Sequence, residues 1–147
     1  MLINTDYLGE VEVDEEQIYT FSEGLYGFPD SRRFVFVGQM TAEFPFIWMQ
    51  SLDEDRAVFI VTNPFLFKED YDFEINEAAV EALGLNGLDE AGVYALVVIP
   101  ENTQDTTANL KSPVILNLKN KKGRQIILAE DYPYKFKLFS QGGGSAC

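Results

Sequence analysis

The chain has 147 residues, 46% hydrophobic and 14% aromatic, with 24 acidic side chains against 11 basic ones, no histidine and a formal charge of −13. That length suits one domain with a real core, and the apolar content excludes a disordered chain. The absent histidine removes the commonest general base and metal ligand, and the acid excess runs against direct binding of RNA, DNA or anionic lipid.

Short strands separated by turn residues dominate the chain, predicting a mainly β, barrel-like single domain of antiparallel strands over residues 1–140. Residues 2–5 and 8–13 read as a first pair turning near Tyr7-Leu8-Gly9, with Val11 and Val13 alternating against Glu12 and Asp14. Residues 17–21 form the next predicted strand, followed by the turn-rich loop Gly24-Leu25-Tyr26-Gly27-Phe28-Pro29 and a strand over 33–37. Residues 44–51 and 57–62 read as a hairpin across Asp53-Glu54-Asp55. The second arm is apolar on both faces and is expected centrally, while Pro45 marks the start of the first. Glu69 to Glu74 alternates acids and aromatics, as in a strand with one wet face.

The one predicted helix covers 76–83. Asn76 is placed to cap it, Glu77 to favour its positive end, and Gly84 to supply the left-handed residue after it. Its packing face is expected on Ala78, Ala79, Val80, Ala82 and Leu83. Strands over 93–99, 113–118 and 124–128 complete the β core, the last two joined by Lys119-Asn120-Lys121-Lys122-Gly123. Residues 141–147, Gly-rich and ending in Cys147, read as a flexible appended tail. One terminal cysteine, no apolar run near the ~20 residues of a bilayer span, and no signal-peptide pattern after Met1 predict a soluble cytoplasmic protein.

Enzyme signatures are missing. No P-loop or Gly-x-Gly-x-x-Gly occurs, Ser51 and Ser112 have no histidine to activate them, and Cys147 has no neighbouring base. Asp53-Glu54-Asp55 lacks the Ca²⁺-loop pattern, so no metal or cofactor is expected. Glu101 and Asp105 are the pair a carboxylate-based hydrolase would need, though both fall on what reads as a loop. A small acidic β-barrel scaffold is the other alternative.

The charge itself is uneven: residues 1–100 hold 20 acids against 4 bases, whereas 101–147 hold 4 against 7. A solvated acidic surface accounts for this, and so does steering toward a basic protein partner. Candidate contacts follow from the same logic. Glu69, Asp70, Tyr71 and Asp72 form an acidic stretch with an aromatic anchor, beside Asn63-Pro64-Phe65-Leu66-Phe67, which either caps the barrel or leaves an apolar patch exposed. Trp48 reads as core. Tyr26, in its glycine loop, is the better candidate for exposure.

Gly24-Leu25-Tyr26-Gly27-Phe28 with Phe34, Pro45-Phe46 with Gln50-Ser51, and Phe59-Ile60-Val61-Thr62-Asn63-Pro64-Phe65 with Tyr71 occur in this order. Thr107-x-Asn109-Leu110-x-x-Pro113-Val114-Ile115-x-Asn117 follows, then Gly123-x-Gln125. Together, from residue 2 to about 135, they resemble the FliW family of bacterial flagellar assembly factors. The resemblance implies a barrel-like, non-catalytic, cofactor-free protein that binds flagellin and the RNA-binding repressor CsrA. Binding of CsrA would relieve repression of flagellin translation, and free flagellin would compete for the factor.

The partner surface is expected on Phe65, Phe67, Glu69, Asp70, Tyr71 and Asp72, with Tyr26, Phe44 and Asn109 as second choices on a monomer. Asn109 and Asn117 bracket an apolar run with fixed amides. Asn117 is expected to fasten a strand end and Asn109 to hold the preceding loop in shape.

Overall fold

The structure is a computed structural model describing residues 1–5, 8–53 and 56–139; the expected tail over 141–147, and Glu54 and Asp55 of the expected turn, lie outside the described residues. Strands β1 (Leu2–Thr5) and β2 (Gly9–Glu12) make a separate antiparallel hairpin. The remaining nine belong to one sheet: β3 (Tyr19–Thr20), β4 (Arg33–Val37), β5 (Ile47–Ser51), β6 (Val58–Thr62), β7 (Ala91–Val98), β8 (Thr107–Ala108), β9 (Val114–Asn117), β10 (Lys122–Gln125) and β11 (Phe136–Lys137). The single α-helix among the described residues is α1 (Glu77–Leu83).

Pairing of β7 closes the sheet. One edge of β7 takes β6, through Thr62↔Ala95 and Ile60↔Val97; the other takes β9, through Tyr94↔Val114, and then β8, through Val98↔Thr107. Because β9 pairs with β10 and β10 with β3, the path β3-β4-β5-β6-β7-β9-β10 returns to its start as a barrel-like ring. One contact within the ring departs from the all-antiparallel expectation. β10 meets β3 in parallel through one residue pair, Lys122↔Thr20, reinforced by the Thr20 N–H donating to the Lys121 carbonyl at 2.9 Å. Closure removes sheet edges that would otherwise pair with other chains.

Alternation along each strand splits the apolar residues into two cores. Phe21, Phe34, Met49, Val61, Val114 and Leu116 fill the ring. Gly123 stands against them: a Cβ there would fall 2.3 Å from the Phe21 ring, so only glycine lets β10 approach. Ala95, Val97, Ile115, Ile126 and Leu128 face outward and are covered by α1, Tyr71 and Leu110. Each large side chain fully buried here contributes roughly 1.5–3 kcal/mol.

Several predicted elements shorten. The expected strand over 17–21 reduces to two residues, because residues 15–17 form a 3₁₀ turn. Strand β10 stops at Gln125, although Ile126 and Leu128 still donate backbone hydrogen bonds to Pro113 and Lys111. Residues 69–74 form no strand; Tyr71 instead turns inward. The helix carries its expected caps. The Asn76 Oδ1 accepts the Ala79 N–H at 2.8 Å, and Gly84 adopts φ +66°. Its buried face is narrower than expected, Ala79 and Leu83 only, with Ala78 and Ala82 in solvent. Among the described residues no helix is long and apolar enough to cross a membrane.

Candidate functional site

The two asparagines that bracket the Pro113–Leu116 run do different work. Asn117 is buried, and its Nδ2 donates to the carbonyls of Leu83 at 2.8 Å and Gly84 at 3.3 Å, at the end of α1. Its Oδ1 accepts the N–H groups of Lys119 and Asn120, so one amide ties the helix end to the β9–β10 turn. Asn120 Nδ2 adds a second donor to the Leu83 carbonyl at 2.9 Å. These amides satisfy carbonyls that a helix C-terminus leaves without partners.

Asn109 shapes its own loop: its Oδ1 accepts the Ser112 N–H at 2.9 Å. The Ser112 carbonyl then accepts Gln125 Nε2 at 3.1 Å, and Gln125 Oε1 accepts the Tyr26 N–H at 2.9 Å. Segments far apart in sequence are thereby fixed side by side. All four residues line a groove of about 730 Å³, which lies over the ends of β6 and β7. Its rim is apolar and open, with Tyr26, Phe28, Val98, Ile127 and Tyr134 all substantially exposed. Phe28 is held there by an edge contact to Phe59, ring centres 5.0 Å apart.

The second surface gathers the acidic stretch. Tyr71 is only 3% exposed, and its hydroxyl donates to the Leu110 carbonyl at 2.6 Å. Burial pushes the Tyr71 phenol well above its ordinary range, with Tyr132 and the Glu130 carboxylate adding to the shift, so the hydroxyl stays protonated as a donor. Around it the backbone is pinned. The Asp72 N–H donates to the Tyr132 hydroxyl, which donates in turn to the Asp72 carbonyl; the Glu74 N–H donates to Glu130 Oε2. Glu69, Asp70, Asp72 and Glu74 consequently point into solvent. A hollow of about 270 Å³ opens beside them, lined by Phe65, Tyr71, Asp72, Phe73 and Ile75. The Asp70 carboxyl is held below the usual range by its hydrogen bond and ion pair with Lys68, 2.9 Å away.

The predicted contact residues therefore divide. Phe65 and Asp72 meet at the acidic hollow, with Glu69 and Asp70 exposed nearby in sequence. Tyr71 corrects the expectation, because a side chain spent on the core and on Leu110 offers a partner almost no surface. Phe67 is half-buried, stacked on Phe46 at 6.2 Å and edge-on to Phe139 at 6.3 Å. Phe44 is half exposed over Phe46 and lines neither hollow. Tyr26 and Asn109 meet in the large groove.

Sequence reasoning missed Phe28, Val98, Ile127 and Tyr134 as groove residues. Val98 and Ile127 continue the inward alternation of Leu96 and Gln125 past the barrel's end, a signal visible only once strand ends are known. Glu101 and Asp105 are exposed on the loop between β7 and β8 and line none of the described hollows. Among the described residues no group of acids or cysteine is placed to hold a metal ion.

Comparison with known proteins agrees with this architecture. The family model described as FliW protein matches residues 2–138. The flagellar assembly factor FliW of Alkaliphilus metalliredigens is 42% identical over 128 residues, covering 87% of this chain and 79% of that one. That of Bacillus velezensis is 41% identical over 143 residues, covering 97% and 99% respectively. A crystal structure of the flagellar assembly factor FliW superposes with a TM-score of 0.87 at 30% identity, over 96% of this chain and 99% of that one. With the family match running through both cores and both surfaces, the chain belongs to the FliW family of flagellar assembly factors.

Proposed function

We propose that this chain, as one domain over residues 1–140 and as a monomer without cofactor, binds flagellin and the translational repressor CsrA in the cytoplasm. Capture of CsrA relieves its repression of flagellin mRNA translation; free flagellin competes for the factor and lets repression return. The reading follows family membership. The observation that carries it is the pinned stretch at 69–74, where outward carboxylates flank the aromatic hollow at Phe65 and Phe73. Such a surface is preorganised for a basic protein, giving fast encounter through charge and grip through the rings. Held beside an RNA-binding protein, the same carboxylates repel RNA phosphates without occupying the RNA site.

Calorimetric titration with CsrA, with and without flagellin, tests the reading. Asp72→Lys with Glu74→Lys is expected to weaken CsrA binding about tenfold or more, and raising salt to about 0.5 M to weaken the wild type in the same direction. Salt-independent affinity that the double variant leaves unchanged removes this surface from the account. The alternative of a carboxylate-based hydrolase finds no support in the exposed positions of Glu101 and Asp105.

A further inference from the structure

The large groove is chemically unlike the rest of the molecule. On a chain with net charge −13, no aspartate or glutamate among the described residues lines it. The one ionised side chain among the lining residues is Lys135, exposed and with no hydrogen bond or ion pair to any described residue. Tyr26, Phe28, Val98, Ile127 and Tyr134 leave 42–66% of their surface in water, an apolar rim that a monomer has no folding reason to expose. The floor is rigid, because the Asn109–Ser112–Gln125–Tyr26 hydrogen bonds hold loop and strands together.

The volume, about 730 Å³, falls within the ~300–1,000 Å³ of ligand clefts. An enclosed cleft would suit a small molecule. This one is half open with an exposed rim, which suits a peptide segment that keeps one face in water.

We propose that this groove is a second docking site, distinct from the acidic hollow, for a partner segment that is apolar on one face and carries a carboxylate where Lys135 stands. Charge decides the occupant. A basic segment gains from the acids at 69–74 and gains nothing in the groove, whereas an acidic segment is repelled by most of the surface and finds here one cation that no described residue pairs. The two surfaces thereby sort partners by the sign of their charge, without sharing contact residues. This inference rests on the reading that the chain works by holding protein partners.

The test uses the full chain and a series of short labelled amphipathic peptides, one apolar sequence carrying Glu, Gln or Lys at a single site. Fluorescence anisotropy is expected to rank them Glu, then Gln, then Lys, with Lys135→Glu reversing the order and Lys135→Arg keeping it. An exposed ion pair supports a spread of about two- to fivefold between Glu and Gln peptides. Ile127→Asp is expected to weaken all three about tenfold or more, through lost apolar contact. Both positions are exposed, so the variants are expected to fold, and unchanged thermal melting checks this.

Purified flagellin and CsrA titrated against the same variants form the second arm. Ile127→Asp is expected to weaken one of the two about tenfold; both staying within about twofold of wild type overturns the groove as their docking site. Peptides that fail to bind, or that bind alike regardless of Ile127 and Lys135, overturn the groove. So does a wild-type dimer in sedimentation that Ile127→Asp dissolves, which makes the occupant a second copy. Binding of a small apolar dye but of no peptide overturns it in favour of a small ligand. Absent flagellin binding by the wild type overturns the proposed function instead, while the peptide ranking still decides the groove.

Discussion

Replacing Asn117 with alanine is expected to cost this fold about 3 kcal/mol. The side chain is 2% exposed and serves four backbone groups: the carbonyls of Leu83 and Gly84, and the N–H groups of Lys119 and Asn120. After truncation Leu83 keeps the Asn120 amide at 2.9 Å, but the other three lose this partner. At about 1 kcal/mol for each part-buried group the sum is about 3 kcal/mol. Urea unfolding followed through Trp48, the sole tryptophan, reads the effect. With an m-value of roughly 2 kcal/mol/M for a chain of this size, the midpoint falls by about 1.5 M.

Asn117→Asp sharpens the test. It keeps the acceptor for Lys119 and Asn120 but turns a carboxylate oxygen toward two carbonyls. That raises its folded pKa above the unfolded value, so the penalty is full at neutral pH and relaxes as pH falls through the folded pKa. A loss below about 1 kcal/mol for Asn117→Ala, or wild-type stability for Asn117→Asp at pH 7, refutes the view that this amide joins helix to barrel.

Tyr71→Phe keeps the ring contacts and deletes the hydrogen bond to Leu110; it is expected to lower stability by about 1–2 kcal/mol while leaving partner affinity unchanged. Loss of affinity at unchanged stability would return Tyr71 to the partner surface. Asp53 accepts the N–H groups of Arg32 at 2.6 Å and Arg33 at 2.9 Å. Burial pushes its carboxyl up, but these bonds and the Arg33 guanidinium outweigh it and leave it below the ordinary value. The stability it adds is therefore full above the unfolded pKa near ~3.9 and is lost as pH falls through the lower folded pKa. Asp53→Asn is expected to be less stable at neutral pH by about 1–2 kcal/mol, with a shallower decline in acid; an unaltered acid limb counts against this origin.

Elements whose cause is local were legible in advance. The caps of α1 are set by residues within a few positions of its ends, so Asn76 and Gly84 could be named from the chain alone. The central place of β6 followed from its two-sided apolar pattern. The stretch at 69–74 was misread because alternation implies a strand only if a neighbouring strand is free to pair. Here the Tyr71 ring and hydroxyl gain more by entering the outer core, and Glu130 and Tyr132 take the backbone groups instead. Trp48 and Phe67, read through apolar character, are both partly buried.

By itself the sequence determined the fold class, the acidic character, the absence of familiar catalytic patterns and the family. All of these depend on residue types, their order and local periodicity. The tertiary structure alone decided where ring closure falls, because β7 divides its far edge between β8 and β9 and no local pattern encodes a partner some twenty residues away. It also decided which motif residues meet. Asn109, Ser112, Gln125 and Tyr26 form one hydrogen-bonded floor only after the barrel brings them together, and the exposed apolar rim gathers Val98 at the end of β7 with loop residues distant in sequence.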